Sequence, residues 1–199
     1  MVIGVLGGTF DPIHLGHTTL GKAALKEVAL DKLIVMPTAI QPFKQNRKVA
    51  QDKHRLNMAK LAFMECERVQ ISTYEIDKGD VSYSYETMTH LKSIYPNDEI
   101  FFVMGTDSFI TVEKWYKGGE LLRDFPFIVS SRPGYPEREL DNQIRFYKED
   151  YGTKIIKLRA KMPDISSTEI RDAALSGDRI NYLVPEKVER YIVDNDLYF

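Results

Sequence analysis

Two short apolar runs, MVIGVLG (1–7) and KLIVMP (32–37), bracket a stretch with helical spacing. In that stretch, HLGHTTLGKAALKEVAL (14–30), Leu20, Ala24 and Val28 recur every fourth residue, the interval that keeps side chains on one helix face. Strand, helix, strand in this order is a βαβ unit. It commits the chain to a parallel sheet, because parallel neighbours can be joined only by a crossover. The alternation continues. RVQISTYEI (68–76), EIFFVMG (99–105), FPFIVSS (125–131) and KIIKL (154–158) read as strands, and EIFFVMG, apolar on both faces, reads as a central one. Helices are expected over QDKHRLNMAKLAFME (51–65), SYETMTHLKSIY (84–95), GGELLRDF (118–125), STEIRDAALSG (167–177) and PEKVERYIVDN (185–195), with Gly177 just past a helix end. The expected fold class is α/β, a parallel sheet with helices on both faces, in one domain over 1–199. TAIQPFKQNRK (38–48), which is basic, and SRPGYPERE (131–139), which carries two arginines, read as proline-containing loops that could fold over a ligand.

Composition removes several classes of function. A net charge of −2 and a pI near 6.1 do not suit a chain that coats nucleic acid, although a local basic pocket for a phosphorylated small molecule is allowed. Cys66 is the only cysteine, so no internal disulfide forms and a reducing, cytoplasmic setting is expected. MVIGVLGG lacks the basic start and long apolar run of a secretory signal, and no eighteen-residue apolar stretch implies a membrane span.

After the first strand comes GVLGGTFDPIHLGH (4–17), whose residue types ordinary propensity does not explain. A parallel sheet binds ligands beyond the carboxyl ends of its strands, which is where GGTFDPIH falls. Glycines let backbone approach a bulky anion, and a helix beginning near Leu15 points free N–H groups and its positive dipole end at the same spot. The spacing fits neither the dinucleotide fingerprint nor the Walker loop. His14 and His17, three apart, share one face of the helix start. Three readings compete. The histidines cap or pack the helix, or they chelate a metal together with Asp11, or they hydrogen-bond phosphate oxygens and carry charge that builds in a transition state. The phosphate reading accounts for all the residue types together.

GGTFDPIHLGH resembles the (H/T)xGH signature of the nucleotidyltransferase superfamily, and the chain is similar nearly end to end to the bacterial nicotinate-nucleotide adenylyltransferases. The likeness includes PxxxxPFK (37–44), SYSYET (82–87), GTDSF (105–109), KWY (114–116), SRPGY (131–135) and ISSTEIR (165–171). It implies a Rossmann-like sheet and a C-terminal helical part, from about 165 to 199, that closes over ATP. Thr38 stands where the family often has asparagine, Phe43 where it often has histidine, and Ser84 where threonine is more frequent.

The resemblance implies catalytic roles for His14, His17 and Arg171. It implies ATP contacts at Gly7, Gly8, Thr9 and Phe10, at Gly105 and Asp107, and at Ile165, Ser166, Ser167 and Thr168. Mononucleotide contacts fall on Lys44, Tyr83, Ser84, Trp115, Tyr116 and Arg132. Several have a plainer explanation beside them. Ser166 with Glu169 makes a capping box, Thr106 or Asp107 caps a helix, and a lone tryptophan is more often core. The implied reaction transfers AMP from ATP to nicotinate mononucleotide, with Mg²⁺ accompanying ATP, no protein metal ligands, no nucleic-acid or membrane partner, and a homodimer allowed. Nicotinamide mononucleotide or another phosphorylated acceptor, a metal-dependent phosphohydrolase built on Asp11, His14 and His17, and a non-catalytic nucleotide sensor are the alternatives.

Overall fold

The computed structural model describes residues 1–39 and 49–199. The strands are β1 (Val2–Gly8), β2 (Lys32–Pro37), β3 (Val69–Ile71), β4 (Glu99–Gly105), β5 (Phe127–Ser130) and β6 (Ile155–Lys157). They form one sheet in the order β3-β2-β1-β4-β5-β6 with every pairing parallel. The order reverses direction between β1 and β4, so the crevice that such a sheet opens for ligands lies at their carboxyl ends. Register sets Val5 between Ile34 of β2 and Phe102 of β4.

The helices are α1 (Leu15–Glu27), α2 (Asp52–Phe63), α3 (Tyr74–Lys78), α4 (Ser84–Ile94), α5 (Thr106–Phe109), α6 (Gly118–Asp124), α7 (Glu137–Tyr151), α8 (Ser167–Leu175) and α9 (Glu186–Asp194). Successive strand side chains alternate between two cores. Leu33, Val35, Phe101 and Val103 face one side with Leu20, Ala24, Phe63, Ile170 and Ile192 from α1, α2, α8 and α9. Ile34, Met36, Phe102 and Met104 face the other with Met88, Leu91, Leu121, Leu140 and Tyr147 from α4, α6 and α7. Burial on both faces is why these strands read as continuous apolar runs rather than alternating ones.

Three expectations are corrected. α7 occupies the end of the expected 131–139 loop and the unassigned residues after it. Leu140, Ile144, Tyr147 and Tyr151 form its core-facing stripe at helical spacing, under a charged outer face. RVQISTYEI is a strand only over Val69–Ile71; Ser72 N–H still bonds Val35 C=O, and the chain then turns into α3, which ends at Gly79 with φ 70°. Neither Thr106 nor Asp107 caps α5. Gly105 takes that position, and the Thr106 hydroxyl instead donates to Ser130 C=O at 2.9 Å, tying the ends of β4 and β5 together.

Candidate active site

The loop from Thr9 to His14 leaves the end of β1 and delivers His14 as the N-cap of α1. Nδ1 of His14 accepts from Gly16 N–H at 3.1 Å, and Nδ1 of His17 accepts from His14 N–H at 3.3 Å. This is a reciprocal capping box made by two imidazoles. A ring nitrogen that accepts from an amide carries no proton, so both bonds place the proton on Nε2. The rings lie 3.8 Å apart between centroids, and Phe10 sets its edge against His17. His14 is buried, and burial, reinforced by the Arg132 charge, lowers its pKa to about 4. His14 is therefore neutral at pH 7, with its one ring N–H at Nε2. The capping and phosphate readings are compatible, but at His14 no full charge is available. Gly16 is required by this geometry: a Cβ there would lie 2.9 Å from Cε1 and Nδ1 of the His14 ring.

Asp11 is buried and engaged. Its Oδ1 accepts from Ala50 N–H at 3.1 Å and from Tyr198 Oη at 2.8 Å, and its Oδ2 lies 3.7 Å from Arg171. Among the described residues no group of three or more His, Cys, Asp or Glu side chains is placed to hold a metal ion.

The second helix start meets the first. Ser166 caps α8 by accepting from Glu169 N–H at 3.1 Å, while the Glu169 carboxylate accepts from Ser166 N–H. The Ser167 hydroxyl donates to Pro12 C=O at 2.9 Å. Arg171 donates to Asp11 C=O and, at 3.0 Å, to the Thr168 hydroxyl. These bonds seat the start of α8 on the β1–α1 loop across more than 150 residues of chain. Together they enclose a cleft of about 310 Å³. Gly7, Gly8, Thr9, Phe10, His14 and His17 line one side, and Ile165, Ser166, Ser167, Thr168 and Arg171 the other. Gly105 and Asp107 close it from the end of β4.

Arg132 lies here too, which departs from its expected place beside the mononucleotide. It pairs with Asp107 at 3.1 Å, donates to Ile165 C=O at 3.3 Å and approaches Asp164. It lines the larger cleft and not the one that holds Trp115. The physical reason is that β5 ends beside β4, so the residue two past Ser130 falls next to the β4–α5 loop.

A smaller cleft, about 150 Å³, adjoins the first and shares Gly7, Gly8 and Ser108 with it. Tyr83, Ser84, Trp115 and Tyr116 line it as expected. Trp115 is fixed by its indole N–H donating to Thr111 Oγ1 at 3.1 Å and by an edge contact with Phe102; the Tyr83 and Tyr116 rings pack 4.5 Å apart. Lys44, like Phe43, lies outside the described residues.

Several lining residues were not anticipated from sequence. Ser108 follows directly on GTDSF's Asp107, and its position just past a strand end was the available signal. Glu75 carried none, because it sits where a strand was expected. It is buried, accepts from Thr87 Oγ1 at 2.6 Å, and leaves Oε2 unbonded, as Thr38 leaves Oγ1; burial pushes its carboxyl pKa up.

Comparison with known proteins agrees with this architecture. Residues 5–173 match the family described as cytidylyltransferase-like. A Clostridium botulinum protein named probable nicotinate-nucleotide adenylyltransferase is 38% identical over 98% of this chain and 96% of its own length. The nicotinate-nucleotide adenylyltransferase of Bacillus subtilis is 37% identical over 98% and 97%. The Plasmodium falciparum nicotinic acid mononucleotide adenylyltransferase complexed with NaAD superposes with a TM-score of 0.79 at 19% identity, over 98% of this chain and 96% of that one, which speaks to the fold. The chain belongs to the nicotinate-nucleotide adenylyltransferases within the cytidylyltransferase-like family.

Proposed function

We propose that this protein transfers AMP from ATP to nicotinate mononucleotide, releasing pyrophosphate and forming deamido-NAD. The observation that carries the reading is the meeting of the two clefts over Gly7 and Gly8. An anion cradle with two helix starts lies on one side and an aromatic slot for a ring on the other. ATP occupies the larger cleft and the mononucleotide the smaller, so the acceptor phosphate reaches the α-phosphorus above the glycines.

A phosphomonoester has its second pKa near 6 and is largely a dianion at pH 7, so its oxygen attacks without a general base. The new O–P bond forms as the bond from the α-phosphorus to the bridging oxygen breaks, and the electron pair leaves with pyrophosphate. Catalysis is positioning plus charge stabilisation. The Nε2–H groups of His14 and His17 donate to α-phosphate oxygens, preorganised by their caps. Arg171 and the start of α8, through Ser167 and Thr168, hold the β and γ groups. Asp107 accepts from ribose hydroxyls, kept in place by Arg132. Trp115 stacks on the pyridine ring, with Tyr83, Ser84 and Tyr116 around it, and Lys44 binds the acceptor phosphate. Mg²⁺ would enter with ATP as part of the substrate and would offset the charge of its phosphates; the Asp11 carboxylate is hydrogen-bonded to Ala50 N–H and the Tyr198 hydroxyl. A lone cysteine supports a reducing, cytoplasmic setting.

The deciding experiment measures pyrophosphate release from ATP with nicotinate mononucleotide and with nicotinamide mononucleotide side by side. Release that depends on the nicotinate acceptor is expected. Phosphate release from ATP alone would point to a hydrolase, and ATP binding without pyrophosphate would point to a sensor.

A further inference from the structure

Arg55 of α2 is a charged side chain that the proposed chemistry does not use. It is fully buried. Burying a guanidinium is costly by several kcal/mol unless its donors are matched. The neighbouring core residues of α2, Met58, Ala59 and Phe63, are apolar, so helix packing alone does not call for an arginine.

Its partners explain it. Nε donates to Ala50 C=O at 3.1 Å, Nη1 to Thr9 C=O at 2.7 Å and Nη2 to Ala39 C=O at 3.5 Å, and Nη2 also pairs with the half-exposed Asp52 carboxylate. Thr9 belongs to the β1–α1 loop. Ala39 and Ala50 flank the segment that carries Lys44. Ala50 is held a second time, by its N–H donating to Asp11. One planar fork thus joins the β1–α1 loop at Thr9, 46 residues away, to the two flanks at Ala39 and Ala50, a task for which the guanidinium is suited and an ammonium is not. The peptide unit gives the bond to Thr9 a consequence. Because the unit is planar and trans, its C=O and N–H point in opposite directions. With Thr9 C=O fixed on Arg55, the Phe10 N–H is turned away from it, and both residues line the larger cleft.

We infer that Arg55 is a positioning residue for the adenylyl transfer proposed above: it fixes the Thr9–Phe10 peptide with its N–H toward the triphosphate, and ties the flanks of the acceptor segment to that same peptide. The two substrates are thereby held in one register without Arg55 touching either.

Arg55→Lys tests this, since it keeps the charge and loses the fork. Wild-type pyrophosphate release with nicotinate mononucleotide is the control, and its absence would refute the adenylyl-transfer reading rather than this one. Given that activity, the folded variant is expected to lose on the order of 10²-fold in kcat/KM for the mononucleotide, the size of effect that a misplacement of about 1 Å produces. A purely structural arginine would lower Tm and leave kcat and both KM values of the folded protein within twofold of wild type, and that result overturns the inference. Should Arg55→Lys not fold, Asp52→Asn decides instead. It loosens the same fork from the surface and is expected to lower kcat/KM severalfold with Tm unchanged; unaltered kinetic constants would overturn the inference.

Discussion

Gly16→Ala separates stability from catalysis in this site. Gly16 is the second residue of α1, and a Cβ there would lie 2.9 Å from two atoms of the His14 ring, so the ring must swing away. Two stability effects then oppose each other. Losing the cap destabilises by about 0.5–2 kcal/mol. Alanine in place of glycine in a helix stabilises by about 0.5–1 kcal/mol. Together they lie between about 0.5 kcal/mol stabilising and about 1.5 kcal/mol destabilising, and Tm should stay within a few degrees of wild type. Catalysis has no such compensation. On the proposed mechanism, a displaced His14 removes a preorganised Nε2–H donor from the α-phosphate, a loss of about 2.7–4 kcal/mol, or on the order of 10²–10³ in kcat. The assay is pyrophosphate release at saturating ATP and mononucleotide, with calorimetry on the same preparation. A kcat within about threefold of wild type would refute the argument that the capped ring is a transition-state donor.

Three further outcomes are expected. His14 titrates near pH 4 when folded and near 6.5 when unfolded, so the unfolded chain binds more protons between those values and stability falls as pH drops through that window. His14→Asn keeps a good N-cap and cannot titrate; in urea unfolding at pH 7 and pH 5 it should lose about 2 kcal/mol less than wild type. Equal losses would show that His14 does not carry the effect. Trp115→Ala should raise KM for the mononucleotide by roughly 5- to 150-fold, the range for one base–aromatic stack, with KM for ATP little changed; an unchanged mononucleotide KM would remove Trp115 from the ring site. Ser166→Ala opens the α8 capping box, and should lower stability by about 1 kcal/mol in chemical denaturation and weaken ATP binding in titration calorimetry.

Much of this was legible in the chain itself. Strands buried on both faces announce themselves as unbroken apolar runs, so β1, β2 and β4, and with them the parallel sheet, could be read directly. The histidine pair and Ser166 with Glu169 were visible because capping is a local interaction over three residues, written in consecutive positions. α7 escaped the reading: Leu140, Ile144, Tyr147 and Tyr151 recur at helical spacing, but proline and charge at its start read as loop. What the sequence determined was what depends on neighbours along the backbone: the buried strands, most of the helices, the caps at His14 and Ser166, and the loop that follows β1.

What only the tertiary structure decided was which remote segments share a space. Arg132 belongs with Asp107 and Ile165 because β5 lies beside β4, and no spacing encodes that adjacency. Glu75 faces the smaller cleft because an expected strand stops at Ile71 and turns into α3. Nothing in the helical stretch 51–65 marks Arg55; its burial follows from carbonyl partners at Thr9, Ala39 and Ala50. The physical reason is the same in each case. Each of these side chains takes at least one hydrogen-bond partner from distant chain, and that pairing exists in the assembled fold and not along the sequence.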